Sequence, residues 1–403
     1  MTEKWSGLVN TIQKFKISVK EELDKSNEDF HSELNGETPL VIKGLGVRED
    51  EKNEYFVDTS DVLFWHDPTA YIDELERWEN QKIIDVYSEV KDFLNGSEKA
   101  SVFRRFVESV KKKRVSPFVG AGLSAPSGFP LWGNALERMV KKLESVSTSN
   151  QRADLPPLDH IEEVNEDIRE YRYLRAAQTL YDKHKTYFEN YVRNTFDGAT
   201  PDKVGEVASL LPRLSDGCVI TTNFDEVVEK AFIKENKAIE GYMHGTQSQN
   251  QFVSKLIQGE RCILKLHGHF NSPDTYIFSE AQYGEAYGVG LIDYTKPLAK
   301  VLRQVFISHS LVFIGCSLAK DKTLELFVDV ANSNEFDIPS HFAFLPDDQN
   351  DNAKFAIEDY LGQAKIDPIW YSVTTNEDDT KDHSQLHELL SFAVDCAHGK
   401  ASF

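Results

Sequence analysis

The sequence has too little positive charge for a general nucleic-acid-binding protein. Its 403 residues include 45 Lys and Arg against 66 Asp and Glu, which gives a formal net charge of −21. Proteins that bind nucleic acids neutralise phosphates with an excess of Lys and Arg. Direct nucleic-acid binding is therefore not expected. The acidity is more typical of a well-solvated surface, or of one that meets a basic protein partner.

Cysteine is scarce, and the sequence lacks long apolar runs. The cysteines are Cys218, Cys262, Cys316 and Cys396. None lies in a C-x-x-C pair, so neither a zinc ribbon nor a disulfide framework is indicated, and no bound metal is expected. The first residues are polar, unlike a secretory signal, and no apolar run approaches the length that spans a bilayer. We therefore expect a cytoplasmic protein with free thiols and no membrane partner.

Strand-like and helix-like segments alternate along most of the chain. Over residues 98–403 this alternation predicts an α/β fold with a Rossmann-like, parallel, doubly wound sheet. Residues 134–215 show helical periodicity and are interpreted as a helical insertion, which lids a nucleotide site or forms an oligomer contact. Residues 1–97 carry no recognisable motif and are interpreted as an accessory N-terminal region of unknown function. This region begins with an amphipathic helix over residues 5–23.

The stretch from Val115 to Trp132 has the pattern of a phosphate-binding turn. A short apolar strand is followed by glycines and then by the start of a helix. The pattern G-x-G-x-x-A runs from Gly120 to Ala125 and is a variant of the dinucleotide-binding fingerprint. Glycines let the backbone approach a pyrophosphate, and helix N-termini favour negative charge. Taken alone, the stretch is equally compatible with an ordinary tight turn.

Polar residues follow two later strands. Cys218–Ile220 leads into TTNFD at 221–225, and Cys262–Leu266 leads into His267. Ligands bind at the carboxyl ends of strands in open α/β sheets, and a histidine there is suited to general-base work near neutral pH. The alternative is structural: Asp225 caps the next helix, and the histidine caps a turn.

Two further segments complete the pattern. Residues 274–288 predict a short strand followed by a tyrosine-rich helix. Leu311–Ile314 predicts a buried strand that ends in a small-residue turn, Gly315–Ser317.

The ordered set of these strand ends resembles the sirtuin family. Sirtuins carry GAGxS, T-x-N-x-D, HG and G-[ST]-S in this order. This sequence has GAGLS at 120–124, TTNFD at 221–225, LHG at 266–268 and GCS at 315–317. The G-F-P at 128–130 is similar to the G-[IF]-P of sirtuins. The resemblance covers roughly residues 98–375 and implies a Rossmann-like domain that uses NAD as a substrate.

The resemblance also implies roles for individual residues. Seven positions match sirtuin motif residues that contact the cofactor, and the resemblance implies that they bind NAD. They are Gly120, Ala121, Gly122, Ser124, Asp225, Gly315 and Ser317. Asn223 would orient the nicotinamide ribose and an attacking water, and Asp225 would bind the nicotinamide carboxamide. His267 would be the base that acts on the ribose, and Ser317 would contact phosphate or ribose near the adenosine.

The sequence departs from the protein-deacylating sirtuins. Those enzymes place a four-cysteine zinc module between the HG and G-[ST]-S motifs, whereas this chain has no cysteine between Cys262 and Cys316. Thr222 stands where deacylating sirtuins usually have Gln. The segment from Tyr276 to Tyr287 is instead similar to the bacterial sirtuin-like branch of antiphage defence, whose members hydrolyse NAD.

The resemblance predicts an NAD+ glycohydrolase that forms nicotinamide and ADP-ribose, used as a regulated, NAD-depleting effector in bacterial antiphage defence. It implies a protein partner that senses infection, such as a HerA-type ATPase. A homo-oligomer is a separate prediction, because the helical insertion and the N-terminal region have apolar faces that could bury against copies of themselves. Two alternatives stay open: a zinc-free NAD-dependent deacylase or ADP-ribosyltransferase, and a catalytically silent module that binds NAD or ADP-ribose.

Overall fold

The computed structural model describes residues 3–43, 54–95, 99–148, 158–197, 203–247, 251–318, 322–333, 337–377 and 380–403. The chain divides into two compact units, Met1–Ser88 and Glu89–Phe403. The helices, numbered α1 to α19 in chain order, are Glu3–Ser26, Glu28–Asn35, Thr59–His66, Pro68–Val86, Ser88–Asn95, Lys99–Lys111, Ala121–Ser124, Trp132–Thr148, Ile161–Arg169, Tyr173–Phe196, Glu206–Ser209, Leu211–Leu214, Val227–Lys234, Phe252–Ile257, Glu280–Tyr287, Pro297–Ser308, Lys322–Asn332, Asp351–Gln363 and Ser384–Ala397. The strands, β1 to β11, are Leu40–Lys43, Glu54–Val57, Val115–Val119, Cys218–Thr221, Gly241–His244, Cys262–Lys265, Ser310–Ile314, His341–Pro346, Ile366–Tyr371, Thr374–Thr375 and Lys381–Asp382.

The N-terminal unit is built around a hydrophobic cluster of mostly aromatic residues. Its buried members are Phe30, Phe64, Tyr71 and Leu75. The Tyr71 ring packs edge-on against Phe30 and Phe64, with centroids 5.6 and 5.5 Å apart. The amphipathic helix predicted for residues 5–23 is present as α1. Strands β1 and β2 pair as an antiparallel hairpin.

The second unit contains a seven-stranded sheet in the order β5-β6-β4-β3-β7-β8-β9. Every neighbouring pair in this sheet is parallel. The predicted parallel, Rossmann-like α/β fold is therefore confirmed. Parallel strands need crossover connections, which explains why helices separate the strands along the sequence.

Helices cover both faces of this sheet. Along β8, successive side chains point to opposite faces. Phe342 and Phe344 both meet Phe106 of α6, with ring centroids 5.4 and 5.3 Å apart. Ala343 and Leu345 belong instead to the core formed with α16 and α17. A sheet buried on both sides explains the nearly continuous apolar runs of its strands.

Helices α7 to α12 lie between β3 and β4, and the two long ones, α8 and α10, carry the predicted insertion. Two predictions in the second unit need correction. Residues 276–278 form no strand, although the Ile277 N–H donates to the His267 carbonyl at 3.1 Å, because one such bond does not make a ladder. The sequence also predicts a strand over residues 369–373, and the structure places this last strand of the sheet at Ile366–Tyr371.

Among the described residues, no helix combines the length and the apolar character needed to cross a bilayer.

Candidate active site

The candidate site lies at the carboxyl edge of the sheet beside its central strand. The chain leaves β3 for β4 and β6 on one side and later returns to β7 on the other side. In open α/β sheets, such a reversal of strand order creates the crevice in which ligands bind. The loops that follow β3, β4, β6 and β7 carry the four motifs.

The loops after β3 and β7 touch through glycines. A Cβ atom on Gly120 would lie 2.5 Å from the Gly315 carbonyl oxygen, and one on Gly315 would lie 2.5 Å from the Leu123 nitrogen. Gly315 also has a φ of +64°, a conformation that favours glycine. These glycines let two backbones approach more closely than any side chain would allow.

The amides of this turn are partly used within the protein. The Gly120 N–H donates to the Ile314 carbonyl and the Gly122 N–H donates to the Gly315 carbonyl, both at 3.0 Å. The expected helix start is only one turn long, Ala121–Ser124. A 3-10 turn containing Pro126 follows and ends at Gly128, which has a φ of +97°. The loop is therefore not followed directly by a long helix whose dipole would attract a phosphate group.

The Asn223 side chain joins the loops after β3 and β4. Its Nδ2 donates to the Gly120 carbonyl and to the Ser124 hydroxyl, both at 2.9 Å. The Ser124 hydroxyl in turn donates to Asp225 Oδ1 at 3.0 Å. All three side chains are buried. Within the described part of the chain, Asn223 Oδ1 receives only a 3.4 Å contact from the Thr222 hydroxyl.

Asp225 serves both this network and its own helix. Its Oδ1 also accepts the Val227 N–H at 3.0 Å, the local capping contact that the structural alternative predicts. Burial raises the pKa of the Asp225 carboxyl, while Lys265, the Val227 amide and the Ser124 hydroxyl act in the opposite direction.

A buried ion pair supports the TTNFD loop from below. Lys265, at the end of β6, is fully buried, and its Nζ lies 2.9 Å from Glu229 Oε1. The same ammonium group donates to the backbone carbonyls of Phe224 and Asp225. Sequence reasoning missed Lys265, although a lysine in a strand of otherwise apolar residues is a signal that something must pair with it.

His267 lies on the loop after β6, and its Nε2 is 2.8 Å from the Tyr283 hydroxyl. Burial lowers the pKa of His267 to about 4, while a hydrogen bond with the Thr222 backbone acts in the opposite direction. The imidazole is therefore neutral at physiological pH and able to accept a proton. Sequence reasoning noted the tyrosine-rich helix α15 but assigned no role to Tyr283.

Aromatic side chains of the helical insertion pack against the same loops. Phe224 lies between the motif residues Asn223 and Asp225, and its ring is 5.5 Å from that of Phe196 and 6.2 Å from that of Trp132. Phe188 stacks on Phe278 with centroids 4.3 Å apart. The insertion thus forms an apolar wall beside the polar network.

The structure brings most of the predicted residues together. Gly120, Ser124, Asn223 and Asp225 form one hydrogen-bonded unit. Gly122 and Gly315 form the glycine contact next to it. Ala121 lies within the one-turn helix, and Ser317 is exposed at the far side of the β7 turn, outside this network. Their predicted contacts with a nucleotide stay predictions.

In the part of the chain that the structure describes, no group of three or more His, Cys, Asp or Glu side chains is arranged to hold a metal ion.

The SIR2-like domain family matches residues 217–369 of this chain. That range contains the TTNFD, LHG and GCS motifs, whereas GAGLS lies before it. Residues 217–369 are therefore similar to a SIR2-like domain, and they include strands β4, β5, β6, β7 and β8 of the parallel sheet described above.

Curated relatives agree with this assignment. The chain is 26% identical over 227 residues to an NAD(+) hydrolase ThsA of Acinetobacter baumannii, covering 55% of this chain and 40% of the relative. It is 24% identical over 241 residues to the ThsA of Bacillus cereus, covering 60% and 44%. It is 23% identical over 221 residues to defense-associated sirtuin 2 of Bacillus subtilis, covering 53% and 19%.

The matched region thus spans less than half the length of each of these relatives. The resemblance to the sirtuin-like NAD+ hydrolases of bacterial antiphage defence that the motifs predicted is confirmed.

Proposed function

We propose that this protein is an NAD+ glycohydrolase that releases nicotinamide and ADP-ribose and depletes NAD+ during bacterial antiphage defence. The observation that carries the proposal is a buried hydrogen-bond network of Asn223, Ser124 and Asp225. It lies where the strand order of the sheet reverses. The relatives named NAD(+) hydrolase and defense-associated sirtuin support the same reaction and setting.

The chemistry required for this reaction matches the groups present. Breaking the N-glycosidic bond builds positive charge on the ribose, so the site must orient the sugar, the leaving nicotinamide and a water together. Asn223 Nδ2 is held by the protein, which leaves Oδ1 to accept from a ribose hydroxyl or from the water. Asp225 would bind the nicotinamide carboxamide, and neutral His267 would take a ribose proton.

The remaining predicted positions would hold the nucleotide. In this proposal the loop Gly120–Ser124 faces the pyrophosphate, and the turn at Gly315 and Ser317 faces the adenosine half. NAD+ is the substrate rather than a resident cofactor, and the reaction requires no metal.

The test is nicotinamide release from NAD+ by the wild type, Asn223→Ala and His267→Ala. Removal of a general base costs about 10²- to 10⁴-fold in rate, and we expect His267→Ala to lose activity within that range. Asn223→Ala should lose a similar amount, because both the water and the ribose lose their orientation. The assay is run with the purified protein and again with the products of neighbouring genes.

Asn271→Ala is the matched control, since Asn271 is an exposed residue on the loop that follows His267. It should keep the wild-type rate. Near-full hydrolysis by folded His267→Ala would contradict the proposed mechanism. Turnover of an acetylated peptide would favour deacylation, and NAD+ binding without nicotinamide release would favour a silent binding module.

We further propose that the protein acts in the cytoplasm as a homo-oligomer with a protein partner that senses infection, for which a HerA-type ATPase is one candidate. The β1–β2 hairpin supports an association surface, because four of its apolar side chains are 49% to 67% exposed. They are Val41, Ile42, Tyr55 and Phe56. Sedimentation of the full chain, alone and with candidate partners, tests this. A strictly monomeric mass would contradict the homo-oligomer.

A further inference from the structure

The position of Tyr283 raises a specific question about His267. A base accepts a proton through a nitrogen lone pair, and His267 Nε2 lies 2.8 Å from the Tyr283 hydroxyl. Tyr283 itself is buried on helix α15. A group that gives a proton to Nε2 must therefore either displace this hydroxyl or transfer the proton through it.

The contacts of the imidazole define which nitrogen is basic. The Thr222 backbone forms a hydrogen bond with the ring. The Thr222 N–H already donates to the Val119 carbonyl, so the group that meets the ring is the Thr222 carbonyl, which can only accept. In the tautomer that satisfies both contacts, the ring donates to this carbonyl, and Nε2 accepts from the Tyr283 hydroxyl.

A neutral imidazole has one acceptor lone pair, and Tyr283 occupies it. While Tyr283 holds this position, a substrate hydroxyl can transfer a proton along the Nε2 lone pair only through the tyrosine oxygen. Phenolic oxygen both donates and accepts, so it can pass a proton on while it receives another.

We propose that Tyr283 is a catalytic proton relay between the ribose and His267; this inference rests on the proposed hydrolase function. The ribose O–H bond breaks as its proton moves to the Tyr283 oxygen. The Tyr283 O–H bond breaks as its own proton moves to His267 Nε2. The tyrosine is regenerated, the imidazole becomes positively charged, and the ribose oxygen carries the negative charge that stabilises the developing oxocarbenium ion. Nothing is oxidised or reduced.

The surroundings of Tyr283 are suited to holding the relay in place. Its ring lies 5.7 Å from the His267 ring and 5.7 Å from the Tyr287 ring, against which it stacks. Tyr287, one turn further along α15, directs its own hydroxyl to the Thr323 hydroxyl at 3.0 Å. Both tyrosines are buried on the same helix, and the Tyr283 hydroxyl meets His267 whereas the Tyr287 hydroxyl meets Thr323.

The experiment compares Tyr283→Phe with Tyr287→Phe, under the conditions in which the wild type releases nicotinamide. Tyr283→Phe removes one oxygen and should lower kcat by about 100-fold, within the range of lost acid–base catalysis. KM should stay within about twofold, since the phenyl ring keeps the packing of Tyr283 and only the hydroxyl is lost. Tyr287→Phe should keep kcat within about twofold, because its hydroxyl lies outside the relay.

A second readout does not depend on turnover. Nitrogen-15 NMR of histidine-labelled protein reports the protonation of His267 directly. A hydroxyl that donates to Nε2 favours the neutral ring, so Tyr283→Phe should raise the pKa of His267, and Tyr287→Phe should leave it unchanged.

The outcomes separate the relay from the hydrolase. If Tyr283→Phe keeps at least half of the wild-type kcat, or exceeds it, the relay is overturned and the hydrolase stands. The relay is also overturned if the pKa of His267 does not move in Tyr283→Phe. If the wild type releases no nicotinamide under any condition, the hydrolase fails, and the relay is overturned with it, even where NMR detects the hydrogen bond.

Discussion

The two sides of the candidate site are held together by different kinds of contact. Beside β3 and β7, the loops are held by backbone against backbone, with Gly120, Gly122 and Gly315 in contact. Beside β4 and β6, the loops are held by buried polar side chains, led by Lys265 and His267. The glycine contact of the first side leaves no room for a side chain between the two backbones, whereas buried side chains hold the second side together.

This difference separates shape from chemistry. The glycine side fixes how closely two loops approach, and its carbonyls receive hydrogen bonds such as that from Asn223 to Gly120. The polar side fixes protonation and charge. Damage to the first side should therefore appear as loss of the fold, and damage to the second side as loss of activity or as a change with pH.

The largest effect is expected for Gly315→Ala. The new Cβ would lie 2.5 Å from the Leu123 nitrogen and 2.9 Å from the Gly122 carbonyl carbon, which are backbone atoms that cannot move aside cheaply. The φ of +64° adds strain. Together these terms should exceed about 4 kcal/mol and leave little folded protein, as measured by denaturant unfolding and by soluble yield.

Gly128→Ala is the matched control for the strain alone. Gly128 has a φ of +97° but no atom within 4 Å of an added Cβ. It should lose about 1–3 kcal/mol and remain folded. If Gly315→Ala were no less stable than Gly128→Ala, the close contact between the two loops would not be a feature of the protein.

On the polar side, Lys265→Met should cost about 3–5 kcal/mol, because it leaves the Glu229 carboxylate buried without its partner. It also frees the carbonyls of Phe224 and Asp225, so nicotinamide release should fall beyond what the loss of folded protein explains. Denaturant unfolding and the rate per folded molecule measure the two effects.

The double variant Lys265→Met with Glu229→Leu sharpens this result. Replacement of both members of a buried ion pair by apolar groups is often nearly neutral for stability. We expect stability to recover while activity stays low, since the loop carbonyls of Phe224 and Asp225 still lack their donor. Full recovery of both would mean that Lys265 serves stability alone.

Much of the fold follows from short-range patterns that the sequence displays openly. The apolar run before Gly120 forms strand β3, and the predicted strand Leu311–Ile314 lies within β7. Strand β5, Gly241–His244, was missed. It is an edge strand with alternating burial, and its short, mixed sequence carries no continuous apolar signal.

The sequence predicts which residues belong to the site, but it does not predict the hydrogen bonds between them. Asn223, Asp225 and His267 were named because ligand-binding residues follow strands in sheets of this kind. The contacts from Ser124 to Asp225 and from Tyr283 to His267 join residues 101 and 16 positions apart, which no periodicity relates. The Lys265–Glu229 pair depends on a strand meeting the helix of its neighbour, and only the folded chain brings these together.

The prediction with the smallest effect at neutral pH is a dependence of stability on acid, to which the histidines of the polar side contribute together with His341 on β8, whose pKa burial lowers to about 3. His244, His267 and His269 lie on loops or strand ends of the polar side, and burial lowers the pKa of each to about 4. Their unfolded pKa is near 6.5, so the unfolded chain binds protons first as the pH falls. Stability should therefore drop between about pH 6.5 and 4, by at most about 1.4 kcal/mol per pH unit for each histidine.

His244→Phe isolates one of these protons. The His244 ring stacks on His269 with centroids 5.1 Å apart, and its Nε2 has no hydrogen-bond partner within the described residues. Lys265 and Glu229 face it with opposite effects on its pKa. A phenyl ring keeps the stacking and removes the titration, so the acid slope should flatten by about one proton, with little change above pH 7. An unchanged slope in denaturant unfolding at pH 5, 6 and 7 would mean that His244 has the same pKa in the folded and unfolded states, and that water reaches it more freely than its burial indicates.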